Sequence, residues 1–339
     1  MMHTKPTLTK RLGALFATVL ASHLLLAGQV QAEPSALGGQ RPEALAQAQL
    51  KVGDQSGLTR ALLSAAGEDH GMPYRLAWRP FVAGPPLLEA LNAGAIDVGV
   101  VGNAPPVFAQ AGQAQVRIVA AAEGAQNNNA LLVPATSQVR QVADLKGKRI
   151  AVAKGTSGHY LLLAALAQAG LRSSDVELLY ASPVDAQNAF AGGQLDAWAV
   201  WYPFVGQATA QGARRLLDGS RWPETGLNFT LASEGALGDP LQSAVIGDFI
   251  QRLARAQAWA SANPAPWAER LAQATRLPLP LVQDMLAHQH LRFVPLNARV
   301  SALQQRLADA FVQARLIPRP MQVSEIFDPR YNALLPAAH

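Results

Sequence analysis

The run Arg149-Ile150-Ala151-Val152-Ala153-Lys154-Gly155-Thr156-Ser157-Gly158-His159-Tyr160-Leu161-Leu162-Leu163 changes character halfway along. Arg149 to Ala153 is a short apolar run that ends at a Lys-Gly turn, and it reads as a strand. Ser157 to Ala169 is longer and apolar, and it reads as a helix. A strand delivered straight into a helix is half of a β-α-β unit, and such units imply a largely parallel sheet with helices over its faces.

The same grammar extends in both directions. Upstream, Leu50 to Gly53, Tyr74 to Trp78, Ile96 to Val101 and Val116 to Ala122 read as strands. Between them Leu58 to Ala66, Pro85 to Asn92 and a segment opened by Pro105 read as helices; proline suits a first helical turn because its missing donor has no partner there anyway. Downstream, Glu177 to Leu179 and Ala197 to Val200 are strands, and Pro183 to Ala191 and Pro203 to Gln211 are helices. From Leu241 onward only helices are expected: Leu241 to Ala262, Pro264 to Ala274, Pro280 to His288 and Ala298 to Ala314. Two α/β units followed by helices suggest two lobes with a cleft between them, and Ala130 to Pro134 and Phe229 to Ser233 are the natural crossings.

Composition narrows the chemistry. The 339 residues are 50% hydrophobic and 15% charged, with Lys+Arg 28 against Asp+Glu 23 and no cysteine. This is a globular profile, and it excludes a disulfide scaffold, a thiolate metal site, a cysteine nucleophile and a lipidated N-terminal cysteine. Residues 1–32 combine a basic start (Lys5, Lys10, Arg11), an apolar run from Leu12 to Ala27 and the small-x-Ala ending Val30-Gln31-Ala32, the pattern of a cleavable signal peptide. The run is short of the roughly 20 apolar residues of a spanning helix. Its removal takes three positive charges with it, and no later run of Lys/Arg longer than two remains, so a nucleic-acid surface is not expected.

Four segments place a strand end before a helix start: Gly53-Asp54-Gln55-Ser56-Gly57, Ala83-Gly84-Pro85-Pro86, Gly102-Asn103-Ala104-Pro105 and Lys154-Gly155-Thr156-Ser157-Gly158-His159-Tyr160. Helix starts converging on one crevice are how open α/β sheets hold small anions. Ser157 as an ordinary helix cap is the competing reading. Trp201, Tyr202 and Phe204 fall at a strand-to-helix turn, where they can wall an organic tail, whereas Trp198 belongs to the core. Asn127-Asn128-Asn129 is either a solvated polar loop or a set of donors at the crossing. Enzymatic signatures are missing. Gly155-Thr156-Ser157-Gly158-His159 fails the G-x-S-x-G elbow at its last position, His288 and His290 lack zinc spacing, and no Walker-type loop is present.

The strings Leu88-Glu89-Ala90-Leu91-Asn92-Ala93-Gly94-Ala95-Ile96-Asp97-Val98-Gly99, Gly102 to Ala111, Asp144 to Arg149, Lys154 to His159, Gly193-Gln194-Leu195-Asp196-Ala197-Trp198-Ala199, Trp201-Tyr202-Pro203 and Val294 to Asn297 resemble, in order, the aliphatic sulfonate-binding proteins of ABC importers. The resemblance implies a type II periplasmic binding protein, with a mixed, mostly parallel sheet in each lobe, residues 33–132 plus 234–339 in one lobe and 133–233 in the other. It implies ligand loops at Gln55, Ser56, Gly84, Pro85, Gly102, Asn103, Thr156, Ser157, Gly158, His159, Trp201, Tyr202 and Phe204. It further implies no catalysis, cofactor or metal; an anionic organosulfur ligand; a membrane permease and ATPase as partners; and a monomer exported to the periplasm and not lipidated. Relatives commonly carry Asp where this chain has Asn103, and Trp-Asp-Pro-Tyr where it has Trp201-Tyr202-Pro203-Phe204. Two fewer carboxylates near the cleft favour a sulfonate or sulfate ester with an apolar or aromatic tail over the zwitterion taurine; the alternative readings are a binding protein for nitrate or taurine, or a non-transport enzyme on the same two-lobe fold.

Overall fold

The computed structural model describes residues 1–2, 35–289 and 291–335. The signal-peptide reading of residues 1–32 lies almost wholly outside them, as does His290. Eleven strands among the described residues are β1 (Gln49–Gln55), β2 (Arg75–Phe81), β3 (Val98–Gly102), β4 (Val116–Glu123), β5 (Asn129–Val133), β6 (Arg149–Val152), β7 (Glu177–Tyr180), β8 (Ala197–Trp201), β9 (Arg214–Asp218), β10 (Leu227–Ser233) and β11 (Arg292–Val294). The helices are α1 (Pro42–Gln47), α2 (Leu58–Ala65), α3 (Gly84–Asn92), α4 (Pro105–Ala111), α5 (Ser157–Gln168), α6 (Pro183–Ala191), α7 (Phe204–Ala210), α8 (Glu234–Gly238), α9 (Pro240–Ala262), α10 (Pro264–Thr275), α11 (Leu279–Ala287) and α12 (Ala298–Gln313).

The strands sort into a six-stranded sheet of order β11-β4-β10-β3-β1-β2 and a five-stranded sheet of order β7-β6-β8-β5-β9. β1, β2 and β3 run parallel, and β10 is inserted antiparallel between β3 and β4. In the second sheet β6 is parallel to β7 and β8, whereas β5 is antiparallel to β8 and β9. Each sheet therefore keeps one main direction, broken in the first by β10 and the edge strand β11 and in the second by β5, and β5 and β10 are the strands that arrive from the other sheet. Both are buried, as strands flanked on two sides must be. The segments expected as crossings are thus strands within the sheets. The chain changes sheet just before each of them, at 124–128 and 219–226. These two connections are bonded to one another: Gly124 N–H donates to the Gly226 carbonyl at 2.9 Å and Thr225 Oγ1–H to the Gln126 carbonyl at 3.2 Å.

Strands do not stop at Leu241. β11 adds three residues antiparallel to β4 at the edge of the first sheet. A three-residue strand is too short to show a period of two. β9, with every residue partly exposed, and the short α1 within the Ala/Gly/Gln-rich stretch gave no clear apolar pattern for the same kind of reason.

One local device is used twice. α3 and α6 both end in a Schellman turn with a left-handed glycine, Gly94 (φ +67°) and Gly193 (φ +70°). In the first, Ala95 N–H donates to Ala90 O and Gly94 N–H to Leu91 O; in the second, Gln194 N–H donates to Ala189 O and Gly193 N–H to Phe190 O. Three residues after each glycine stands an Asp that locks the next strand to the first strand of its unit. Asp97 Oδ2 accepts from Lys51 N–H at 2.8 Å, and Asp196 Oδ2 accepts from Arg149 N–H at 2.9 Å. The backbone N–H of each Asp returns a bond to the same partner's carbonyl. The Gly-x-Ile/Leu-Asp strings are therefore architectural. Asp97→Ala and Asp196→Ala should each lower stability in urea unfolding, by about 1.5–3 kcal/mol for a charge-assisted hydrogen bond. The larger loss is expected at Asp97, which is the more buried of the two.

Candidate functional site

The carboxyl ends of β1, β3 and β8 and the starts of the reversed strands β5 and β10 face a common cavity of about 220 Å³. Gln55, Gly102 and Trp201 reach it from the strand ends, Asn129, Asn228, Phe229 and Thr230 from the reversed strands, and Ser56, Gly84 and Thr156 from the turns that open α2, α3 and α5. Asn128 and Thr225 contribute from the two connections. Leu58, Leu62, Leu253, Trp267, Leu271, Leu286 and Phe293 close the remaining side with apolar surface. Among the described residues lining the cavity, none is Asp, Glu, Lys, Arg or His.

The helix starts differ in what they offer. At α2, the Asp54 carboxylate accepts from Thr59 N–H at 3.0 Å and Arg60 N–H at 3.4 Å, so that end is already neutralised. Burial pushes the Asp54 carboxyl above the usual range, opposed by these two bonds. At α3, Pro85 and Pro86 have no N–H, which leaves Gly84 as the donor of the opening turn. Gly84 cannot be larger, because a Cβ there would lie 2.6 Å from the Pro105 ring.

At α5 the cap is Thr156 and not Ser157. Thr156 is extended (φ −110°, ψ 168°), its Oγ1 accepts from His159 N–H at 3.4 Å, and its hydroxyl donates to the Ala153 carbonyl at 2.6 Å. Ser157 already lies in the helix, which frees its hydroxyl to donate to Asn103 Oδ1 at 2.6 Å. Both hydroxyls thus shape the turn, and the N–H groups of Ser157 and Gly158, without acceptors inside the helix, are the donors of this end. Gly158 packs its backbone on Ala199, where an added Cβ would stand 3.0 Å from the carbonyl oxygen.

His159 is fully buried behind the turn, against Tyr180 and Phe311. Its Nδ1 accepts from Gly155 N–H at 3.2 Å, so the ring is neutral with its proton on Nε2. Burial, reinforced by the Lys154 charge, pulls its pKa down to about 4.

Asn103 is buried beside the cavity rather than facing it. Its Nδ2 donates to the Glu224 carbonyl at 2.6 Å, its Oδ1 accepts from Ser157, and its own carbonyl accepts from Gln304 Nε2 at 2.6 Å. The Glu224 side chain continues the link. Its Oε1 accepts from the Tyr160 hydroxyl, and its Oε2 lies 3.4 Å from Arg306. Burial and then the bond to Glu224 raise the Tyr160 phenol pKa, which keeps it a donor.

Of the aromatic group, Trp201 and Tyr202 border the cavity and Phe204 does not; Phe204 stacks edge-on against Trp198 and Trp201. The Tyr202 hydroxyl turns to α11, donating to Asp284 at 2.5 Å and accepting from Arg215, with its ring stacked on His288. Of the other expected positions, Gln55, Ser56, Gly84, Gly102 and Thr156 border the cavity, whereas Pro85, Asn103, Ser157, Gly158 and His159 lie beside or behind it. Sequence reasoning did not single out Asn228, Thr225 and Thr230, or the wall from α2, α9, α10, α11 and β11. Asn128 and Asn129, left open between loop and donors, both border the cavity. Asn129 is buried, with its Oδ1 unpartnered.

Two sheets joined by two connections, with a cleft at their strand ends, have the fold of the periplasmic binding proteins. Residues 85–265 match the family described as NMT1/THI5 like, and the chain belongs to that family. It also belongs with the aliphatic sulfonate-binding proteins. It is 36% identical over 308 residues to the periplasmic aliphatic sulfonate-binding protein of Escherichia coli (strain K12), covering 89% of this chain and 94% of that one. The crystal structure of the Escherichia coli protein superposes with a TM-score of 0.72 over 83% of this chain and 92% of that one. The alkanesulfonate-binding protein SsuA from Xanthomonas axonopodis pv. citri, bound to MOPS, is 39% identical with a TM-score of 0.76, over 83% and 98% of the two chains. The desulfurization enzyme DszB shares the fold alone, at 17% identity and a TM-score of 0.60, over 85% of this chain and 99% of that one.

Two outcomes test the site's construction. Asn103→Asp places a carboxylate oxygen where Nδ2 now meets the Glu224 carbonyl, and the variant should unfold at lower urea by about 2–3 kcal/mol, the cost of an unsatisfied buried acceptor beside another. His159 has the opposite pH signature to a paired histidine. Its native pKa near 4 lies below the unfolded value near 6.5, so the unfolded chain takes up the proton first as pH falls. Its contribution is complete above about pH 6.5 and is lost progressively as pH falls from there towards 4. Wild-type stability should fall between pH 7 and 5 by about 2 kcal/mol more than that of His159→Gln in paired urea titrations.

Proposed function

We propose that this chain is the substrate-binding component of an ABC importer and carries an organic sulfonate or sulfate ester with an apolar tail. The observation that carries the reading is the cavity lining: amides, hydroxyls and one helix start on one side, an apolar wall on the other, and no charged side chain among the described residues. A sulfonate is a monoanion at every physiological pH and is satisfied by neutral donors and the positive end of a helix. Taurine would bury its ammonium without a counter-charge, which costs several kcal/mol. Nitrate would leave the apolar wall uncovered.

No catalysis is proposed. The hydroxyls that border the cavity have no carboxylate or imidazole in the lining to activate them, so neither a nucleophile with its base nor a general acid is assembled. In this reading the chain works as a monomer in the periplasm, reached through a cleaved signal peptide without lipidation. It closes the lobe of the six-stranded sheet over that of the five-stranded sheet, hinged at the bonded connections 124–128 and 219–226, and delivers its ligand to a permease and its ATPase. No described helix is long and apolar enough to cross a membrane.

Calorimetric titration against an aryl sulfonate, an alkanesulfonate, taurine and nitrate is the test, with the ligand recovered and identified afterwards. The expected order places the two apolar-tailed sulfonates first, at least tenfold tighter than taurine, with affinity unchanged between pH 7 and 8 because His159 is neutral throughout. Preference for taurine or nitrate would overturn the ligand class, and a chemically altered ligand would overturn the absence of catalysis.

A further inference from the structure

α11 presents two stripes at helical spacing. Leu281, Asp284 and His288 share one, and Val282, Met285, Leu286 and Gln289 share the other. The second stripe meets α10 and the cavity: Val282 and Met285 are buried, and Leu286 and Gln289 line the cavity. The first stripe meets α7 and β9, which belong with the five-stranded sheet, although α11 itself follows the chain's return to the six-stranded one. Leu281 Cδ1 occupies the place where a Cβ on Gly206 would stand. The Asp284 carboxylate accepts from the Tyr202 hydroxyl at 2.5 Å and lies 3.6 Å from the Arg215 guanidinium. That guanidinium also donates to the Tyr202 hydroxyl and, at 3.2 Å, to His288 Nε2. His288 Nδ1 then carries the ring proton and donates to the Asp284 carbonyl at 2.7 Å. Beyond the helix end, Gln289 Nε2 donates at 2.5 Å to Oδ1 of Asn128, on one of the two connections between the sheets.

We propose that α11 is a latch between the lobes, seated on Gly206 and fastened by Tyr202 and Arg215, and that these two side chains set how long the ligand is held rather than which ligand is chosen. The proposal rests on the reading of the cavity as the ligand site. The fastened helix is also a wall of that cavity: Leu286 borders it from the second stripe, so lifting the first stripe off α7 opens the wall. The fastening is built to be released. The Asp284 side chain is 44% exposed and that of Arg215 26%, so water can replace each bond as it breaks, and an ion pair so placed adds little stability. Asn103, in contrast, is fully buried, where a broken bond has no such replacement. The seat has the shape of its occupant, because any side chain at Gly206 would meet Leu281 and, at 3.0 Å, the Tyr202 ring. The Tyr202 hydroxyl has one proton, and it goes to Asp284, so none is left for a sulfonate oxygen. Tyr202, Arg215 and Asp284 are thus positioning residues, and their loss should appear mainly in the dissociation rate.

The experiment measures release of two probes, 1-butanesulfonate and benzenesulfonate, from the mature chain by stopped flow, followed through the fluorescence of Trp201 and Trp267 in the cavity wall. Tyr202→Phe removes the hydroxyl and keeps the ring, and Asp284→Ala removes its acceptor. Loss of one charge-assisted bond, reduced by its exposure, should speed release by about three- to tenfold, and by the same factor for both probes. A further variant leaves the polar cluster intact. The chain has no cysteine, so Gly206→Cys combined with Leu281→Cys supplies a single disulfide across the seat. Oxidation should lock the latch: probe bound beforehand stays through dialysis, empty protein admits none, and reductant restores exchange. A merely structural contact would not respond to reductant in this way. Wild-type release rates in both single variants, an effect confined to one probe, failure of the cysteine pair to oxidise, or free exchange through the oxidised pair each overturns the latch while the ligand site stands. A wild-type chain that binds neither probe overturns the proposed function itself.

Discussion

Asn103 is where the two sheets are fastened together. Fully buried at the end of β3, it donates to the Glu224 carbonyl and accepts from Ser157 on the helix of the other sheet, while its carbonyl accepts from Gln304 on α12. An amide is the one side chain that both donates and accepts from a planar group of this size, and both capacities are used. The start of α5, and with it the donors of the anion end, is held against β3 by this contact. Gly102 belongs to the same constraint, since a Cβ there would fall 2.5 Å from Ser157 Oγ. The contact also locates the hinge, because Glu224 lies on the connection from β9 to β10 and ties α5 to α12 through Tyr160 and Arg306.

The position of the cleft follows from strand direction. Parallel strands bring their carboxyl ends, and the helix starts that follow them, to one edge of each sheet. The Gly-x-Ile/Leu-Asp device repeated at Asp97 and Asp196 fixes β3 against β1 and β8 against β6, which sets how far each strand end projects into the cavity. The reversed strands β5 and β10 enter from the opposite direction, so Asn129 and Asn228, at their beginnings, meet those same ends. That is why the cavity is lined by amides from the strands that change sheet as well as by the expected turns.

The alternation of strands and helices was legible because each element carries its own period and its own glycine or proline punctuation. So were the turns at Gln55-Ser56, Gly84, Gly102 and Thr156, since a strand end followed by a helix start is a local pattern. What could not be read is the partner of each polar group. Ser157 and Asn103 look like exposed donors in one dimension and become a buried pair only when two sheets meet. Tyr202 looks like a wall for the ligand and does border the cavity, but its hydroxyl turns to Asp284, 82 residues away. Trp267, Leu271 and Leu286 carried the ordinary apolar periodicity of core helices, and a side chain facing a cavity has the same hydropathy as one facing the core. β11 was too short to show a period at all.

The head and tail of the cleft are built from different parts of the chain. Strand ends and turns from the alternating region supply the polar side, whereas α9, α10, α11 and β11, drawn from the C-terminal half, supply much of the apolar side. On the polar side, side-chain amides and hydroxyls stand beside the start of α5, whose turn is held by Thr156, His159 and Asn103 together. The apolar side rests largely on packing between helices, with α11 also tied to Tyr202 and Arg215 through Asp284 and β11 paired to β4. Substitutions on α10 and α11 can therefore reshape the tail space without disturbing the hydrogen bonds that set the anion end, because no residue of those two helices bonds to Thr156, Ser157 or Asn103 among the described contacts. A scaffold divided in this way can keep one recognition chemistry for the headgroup while its helical wall decides which carbon skeletons follow it in.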